Sequence, residues 1–79
     1  MKLFNAFSIQ MVANLEEASV SFKKISVEQA KSLLAGEVES YIGHADTAVV
    51  ISGLLGMNVP VQRRFGSLVP GETAIVAQI

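Results

Sequence analysis

Hydrophobic and polar residues alternate along several short stretches of the chain, which is the pattern of half-buried strands. The alternation predicts a first strand over Leu3–Phe7 and a second over Ala18–Ile25. Val61–Leu68 and Thr73–Ile79 have strand-like patterns as well. Pro70-Gly71 lies between these two and is a strong turn signal, so the last two strands are predicted to pair antiparallel.

Two further stretches have helical spacing. Ser26 and Gln29 stand three residues apart in a capping-box pattern, which predicts a helix that runs through Leu34. The stretch from Ala45 to Leu55 is apolar on most of its sides, and Gly56 is its natural end. Such a helix is buried either within the fold or against a second subunit.

These elements predict an α+β fold, with a mixed β-sheet of four to five strands packed with two to three helices. The 79 residues are expected to form one domain, 1–79. Hydrophobic residues make up 51% of the chain and charged residues 16%, which is more apolar than a monomer this small needs. We therefore expect part of the apolar surface to form the interface of a homodimer.

Charge and composition limit the possible partners. Six basic residues against seven acidic ones give a net charge of −1, so nothing favours general binding to DNA. No apolar run approaches the roughly 18 residues of a membrane span, and no signal-peptide core follows Met1. The absence of cysteine fits a reducing cytoplasm. One histidine without any cysteine provides too few ligands for a metal site. The sequence thus predicts a cytoplasmic protein without a metal or a membrane partner.

The histidine is the main candidate for chemistry. His44 follows Gly43, at the point where a short β-favouring run meets the predicted second helix. Because glycine lets the backbone turn sharply, we expect His44 to project from the end of the helix. There a phosphate can bind to free backbone N–H groups, and an imidazole can deliver a proton to a leaving oxygen. The alternative is a capping or surface histidine.

Ser8 and the two neighbouring arginines are weaker candidates. Ser8 can cap a short helix or turn over Ile9–Val12, and its hydroxyl can also face a ligand. Arg63 and Arg64 are adjacent on a predicted strand, so their side chains are expected on opposite faces. A surface pair with no specific role is the simplest interpretation of these arginines.

The stretch from Ser40 to Arg64, together with both ends of the chain, resembles a family of small proteins from archaeal viruses, phages and bacterial mobile elements. Members of that family are viral ring nucleases, anti-CRISPR enzymes that degrade the cyclic tetra-adenylate messenger of type III CRISPR defence. The resemblance covers nearly the whole chain. Its most specific pieces are Asn5-Ala6-Phe7-Ser8, Ile42-Gly43-His44, Arg63 and Ala77-Gln78-Ile79.

The resemblance implies a metal-independent phosphodiesterase that needs no cofactor. In such a reaction the ribose 2′-hydroxyl attacks the neighbouring phosphorus, and the products are linear di-adenylates with 2′,3′-cyclic phosphate ends. His44 would be the catalytic residue, which protonates the departing 5′-oxygen. Asn5, Ser8, Gly43 and Arg63 would bind the cyclic tetra-adenylate, in the host cytoplasm if a virus encodes the protein.

Members of the family continue past the positions that match Ala77-Gln78-Ile79 and carry a further arginine and an acidic residue there. We therefore expect either a C-terminally truncated protein or a minimal homologue that closes its sheet through a partner. Two other functions remain open. A module that only binds the cyclic nucleotide would use Ser8 and Arg63 without needing His44, and a structural or partner-binding viral protein would need none of these residues.

Overall fold

The computed structural model describes residues 1–12 and 16–78. Ile79, the last residue of the Ala77-Gln78-Ile79 match to the family, lies outside these residues. Three short strands, two α-helices and one 3₁₀-helix form within it. In chain order they are β1 (Lys2–Phe4), the 3₁₀-helix (Ile9–Val12), α1 (Val27–Leu34), β2 (Glu39–Ser40), α2 (Ala45–Leu55) and β3 (Ala74–Val76). No helix of the described residues is long and apolar enough to cross a membrane.

The sheet has the order β2-β1-β3, and β1 pairs parallel with both neighbours. Leu3 lies opposite Ser40 on one side and opposite Ile75 on the other. Parallel neighbours need long connections, and the helices supply them, with α1 between β1 and β2 and α2 between β2 and β3. The small mixed fold is therefore built around its first strand.

The core lies between the sheet and the two helices. Leu3, Ile42 and Ile75 contribute from the strands and the segment after β2, and they meet the buried residues of α1 and α2. The helical residues of this core are Ala30, Leu34, Ala48, Ile51 and Leu55. Ser40 is also buried, and its hydroxyl accepts a hydrogen bond from the backbone N–H of Ile42 at 3.2 Å.

Both helices begin and end where the sequence predicts. The hydroxyl of Ser26 accepts from the N–H of Gln29 at 3.1 Å, and the amide oxygen of Gln29 accepts from the N–H of Ser26 at 2.9 Å. The predicted capping box is thus confirmed. The second helix ends at Gly56, whose φ of 65° is left-handed and suits a residue without a side chain.

The predicted number of strands was too high. Four to five strands in a mixed sheet were expected, but the described residues form three strands, all parallel. Ala18–Ile25 has no strand pairing, and its Val20 and Phe22 are exposed. The alternation in this segment was therefore a weak signal, since without a partner strand an alternating segment gains nothing from being extended.

The antiparallel hairpin predicted near the end was also wrong. Its turn does form, because Gly71 has a φ of 84° and the N–H of Glu72 donates to Val69 O at 3.0 Å. However, the segment before the turn is not a strand. It crosses the sheet face opposite the helices, where the ammonium of Lys2 donates to Ser67 O at 2.7 Å.

An aromatic pair covers this second face of the sheet. Phe4 and Tyr41 stack with their ring centroids 4.7 Å apart, and Gly66 lies directly against both rings. The crossing segment is also held by Glu72, which accepts from the ammonium of Lys2 at 3.1 Å. That hydrogen bond, with a second from the backbone of Val69, holds the pKa of the Glu72 carboxyl below its usual range.

We expect Gly66→Ala to destabilise the fold. A Cβ at this position would lie 2.9 Å from Cζ of Phe4 and 2.8 Å from Cδ1 of Tyr41, closer than carbon atoms pack. Forcing an extra methyl group into such a site costs about 1–3 kcal/mol. Urea unfolding of both proteins gives the difference in the free energy of unfolding.

The matched control is Gly36→Ala, because a Cβ on Gly36 would meet nothing within 4 Å. Its effect should stay within about 0.5 kcal/mol, as for other surface substitutions. Equal stability of Gly66→Ala and the parent would show that Gly66 is not in contact with the aromatic pair.

Candidate functional site

The carboxyl ends of the three parallel strands meet at one edge of the sheet. Asn5–Ser8 follow β1 there, Tyr41–His44 follow β2, and Ala77-Gln78 follow β3. Two hydrogen bonds extend the alignment past the strands, from Tyr41 N to Leu3 O at 2.9 Å and from Ala77 N to Phe4 O at 2.8 Å. Ligands of sheets with parallel strands commonly bind outside this edge, so the fold gathers the sequence-predicted residues on a suitable side.

His44 is the residue that precedes the first turn of α2. Its backbone is extended, with φ −125° and ψ 131°, and its carbonyl accepts the helical hydrogen bond of Ala48 N at 3.0 Å. The side chain makes no capping hydrogen bond, and it is exposed. His44 therefore occupies the N-cap position without capping the helix through its side chain, which leaves a surface histidine as the alternative to a functional one. As the N-cap residue, His44 is next in the chain to the free backbone N–H groups of the helix start, where an anion is favoured.

Arg63 lies against the residue that precedes His44. A Cβ placed on Gly43 would lie 3.5 Å from both Cβ and Cγ of Arg63, which is van der Waals contact. The stem of the arginine thus packs over the glycine, and its guanidinium belongs to an exposed side chain. The structure therefore brings Arg63 into contact with Gly43, which lies 20 positions earlier in the sequence and directly precedes His44.

Ser8 and Asn5 lie at the same edge, beyond the carboxyl end of the neighbouring strand β1. The hydroxyl of Ser8 accepts from Gln10 N at 3.3 Å, and its carbonyl accepts from Met11 N at 3.0 Å. The predicted cap of the short 3₁₀-helix is confirmed by these bonds. Ser8 is exposed, and its hydroxyl hydrogen remains able to donate to a ligand.

The sequence missed the part played by Arg64 and Tyr41. Arg64 was interpreted as a surface residue, but its Nε donates to Ser40 O at 3.1 Å, and its guanidinium lies 4.4 Å from the centroid of the Tyr41 ring. Arg63 contacts Gly43, whereas Arg64 contacts Ser40 and Tyr41, and the strand that was expected to place them on opposite faces does not form. No local signal pairs residues 24 positions apart, so only the fold reveals this contact.

Tyr41 is itself held in place. Its hydroxyl donates to the carboxylate of Glu39, and this hydrogen bond, with some burial, raises the pKa of the phenol above its usual value. Tyr41 therefore stays neutral near pH 7. In the described part of the chain, no group of three or more His, Cys, Asp or Glu side chains could hold a metal ion.

Two surface cavities lie away from His44 and Arg63. The larger, about 690 Å³, runs along the outer edge of β3 beside residues 20–25, and the smaller, about 570 Å³, lies between residues 7–12 and 16–20. Neither is lined by Ser8, His44 or Arg63. Within the described residues, the candidate site therefore lies outside both of these cavities.

Comparison with known families gives a match to the family described as STIV B116-like, over residues 1–79. The chain belongs to this family. It is a family of small archaeal-virus proteins, so the viral part of the resemblance is confirmed. No curated protein and no solved structure matches the chain.

Proposed function

We propose that this STIV B116-like protein is a metal-independent ring nuclease that cleaves cyclic tetra-adenylate and so counteracts type III CRISPR signalling. One observation carries the proposal. His44 has an uncapped, exposed imidazole at the start of α2, and the stem of Arg63 packs against the adjacent Gly43. We therefore expect a proton donor and a phosphate-binding guanidinium to act at the same helix N-terminus.

This arrangement suits a reaction in which the substrate supplies its own nucleophile. The 2′-hydroxyl of one ribose loses its proton to water and forms a bond to the neighbouring phosphorus, while the bond from phosphorus to the 5′-oxygen breaks. His44 protonates that oxygen as it leaves. Arg63 and the helix N–H groups bind the phosphate, and Ser8 and Asn5 bind the ring from the neighbouring strand end.

A second copy of the chain supplies a further wall of the site. Val49, Val50 and Leu54 form an apolar stripe on α2 that faces solvent, with exposed fractions of 71%, 49% and 55%. Gly53 lies within this stripe, and a Cβ there would meet nothing within 4 Å, so another backbone can approach closely. Since α2 also begins at His44, a homodimer formed through this helix places the two sites near one interface. A ring of four identical nucleotides can match such a two-fold axis.

We expect His44→Ala to abolish cleavage while leaving the binding of cyclic tetra-adenylate largely intact. The imidazole acts on the leaving oxygen, and losing a general acid costs about 10²- to 10⁴-fold in rate. Single-turnover reactions in EDTA, followed by chromatography of the products, measure the loss. A mutant rate within about twofold of the parent would remove His44 from the mechanism.

The behaviour of the parent protein distinguishes the proposed function from its alternatives. A parent that binds the ring without cleaving it would support the alternative of a binding module, and a parent that does neither would support a structural or partner-binding role.

Arg63→Ala should weaken binding of cyclic tetra-adenylate, and Arg63→Lys should restore it only in part. A lysine carries the charge, but it lacks the planar fork that binds a phosphate through two hydrogen bonds. The affinities are measured by calorimetry with cyclic tetra-adenylate. Each substitution is made in the His44→Ala protein, so that the ring is not cleaved during the measurement. The charge-matched control is Lys31→Ala, a residue paired with Glu28 on α1. Equal affinities with and without Arg63→Ala would show that Arg63 is a surface residue that does not bind the ligand.

Val50→Lys should shift the protein from dimer to monomer, because it places a charge in the middle of the apolar stripe. Val27→Lys is the matched control, since Val27 is a helical valine of similar exposure, 46% against 49% for Val50. Sedimentation at micromolar concentration distinguishes the two states. A parent that is monomeric and still cleaves the ring would contradict the shared site.

A further inference from the structure

Arg63 stands between two anchored neighbours. On one side, the backbone N–H of Gln62 donates to Ile42 O at 2.9 Å. On the other, Nε of Arg64 donates to Ser40 O at 3.1 Å. The short segment 62–64 is thus fastened to the residues that lead from β2 to His44, at two points on either side of Arg63.

The hydrogen bond from Arg64 to Ser40 O joins a well-packed part of the fold. Ser40 is buried, with only 1% of its surface exposed, and its carbonyl comes from the end of β2. The Tyr41 ring under the guanidinium stacks on Phe4 with an angle of 16° between the planes. Glu39 holds the Tyr41 hydroxyl as well. Arg64 therefore binds a carbonyl and a ring that are already fixed by the central part of the sheet.

We propose that Arg64 is a positioning residue, which holds Arg63 against Gly43 so that its guanidinium faces the phosphate beside His44. The proposal rests on the proposed function for the role of Arg63, but the anchoring itself is a property of the ligand-free protein. Arg64 acts through the backbone it shares with Arg63, and its own guanidinium is engaged with Ser40 and Tyr41.

The side chain must be an arginine for this task. A guanidinium can lie flat on an aromatic ring while one of its edge N–H groups donates in the plane. An ammonium has no plane to stack and points its hydrogens in three directions, so Arg64→Lys is expected to keep the charge and lose most of the anchoring. Arg64→Ala loses all of it.

Amide hydrogen exchange of the ligand-free protein tests the anchoring directly. In Arg64→Ala, exchange at the N–H of Gln62 should accelerate about tenfold or more, since the local opening that exposes it becomes easier. Arg64→Lys should lie between Arg64→Ala and the parent. Exchange at Ala77 N, which donates to Phe4 O in the sheet, is the internal control and should not change.

Two outcomes of this experiment would overturn the proposal. Unchanged exchange at Gln62 N would show that Arg64 does not hold the segment. Faster exchange at both Gln62 N and Ala77 N would assign Arg64 to the general stability of the sheet and not to the placement of Arg63.

A double-mutant cycle on the binding of cyclic tetra-adenylate tests the consequence. Arg64→Ala should weaken binding about tenfold in the parent, but should add less than about twofold in the Arg63→Ala background, because the residue it positions is gone. Multiplicative losses would show that Arg64 acts independently and would overturn the positioning role. A parent that does not bind the ring would refute the proposed function, while the exchange experiment would still decide whether Arg64 anchors the segment.

Discussion

The fold depends on the parallel pairing of β1 with a strand on each side. Parallel neighbours force long connections, so one helix must follow β1 and another must follow β2. The same arrangement puts the carboxyl ends of all three strands at one edge, and each strand leads there into residues of the candidate site. The core and the candidate site thus depend on the same strand, since β1 buries Leu3 in the core and also leads into Asn5 and Ser8.

The predictions that depend on a few neighbouring residues are confirmed. The capping box of Ser26 and Gln29, the helix end at Gly56 and the turn at Pro70-Gly71 each depend on a few neighbouring residues, and all three are present. The strand count failed because pairing is decided by distant partners. Val61–Leu68 has a strand-like sequence, yet its backbone hydrogen bonds go to Ile42, to Met11 in the 3₁₀-helix and to the ammonium of Lys2.

The candidate site was partly predictable for the same reason. His44 could be found as the single histidine next to a glycine at a helix start, and the resemblance added Ser8 and Arg63. The contact between Arg63 and Gly43 and the stacking of Arg64 on Tyr41 could not be predicted. These contacts depend on how the segment after α2 returns across the sheet, which nothing in the sequence of residues 61–68 encodes by itself.

The pairing of β1 with β3 also sets the order in which the chain can fold during synthesis. Leu3 lies opposite Ile75, so β1 leaves the ribosome before β3 and pairs on that side with residues made more than 70 positions later. Until then, β1 can pair with β2 on one side, and its other hydrogen-bonding edge stays open. Contacts this distant in sequence slow folding. One edge of the central strand therefore stays unpaired until residues 74–76 are made, and an unpaired strand edge is a site where aggregation can start.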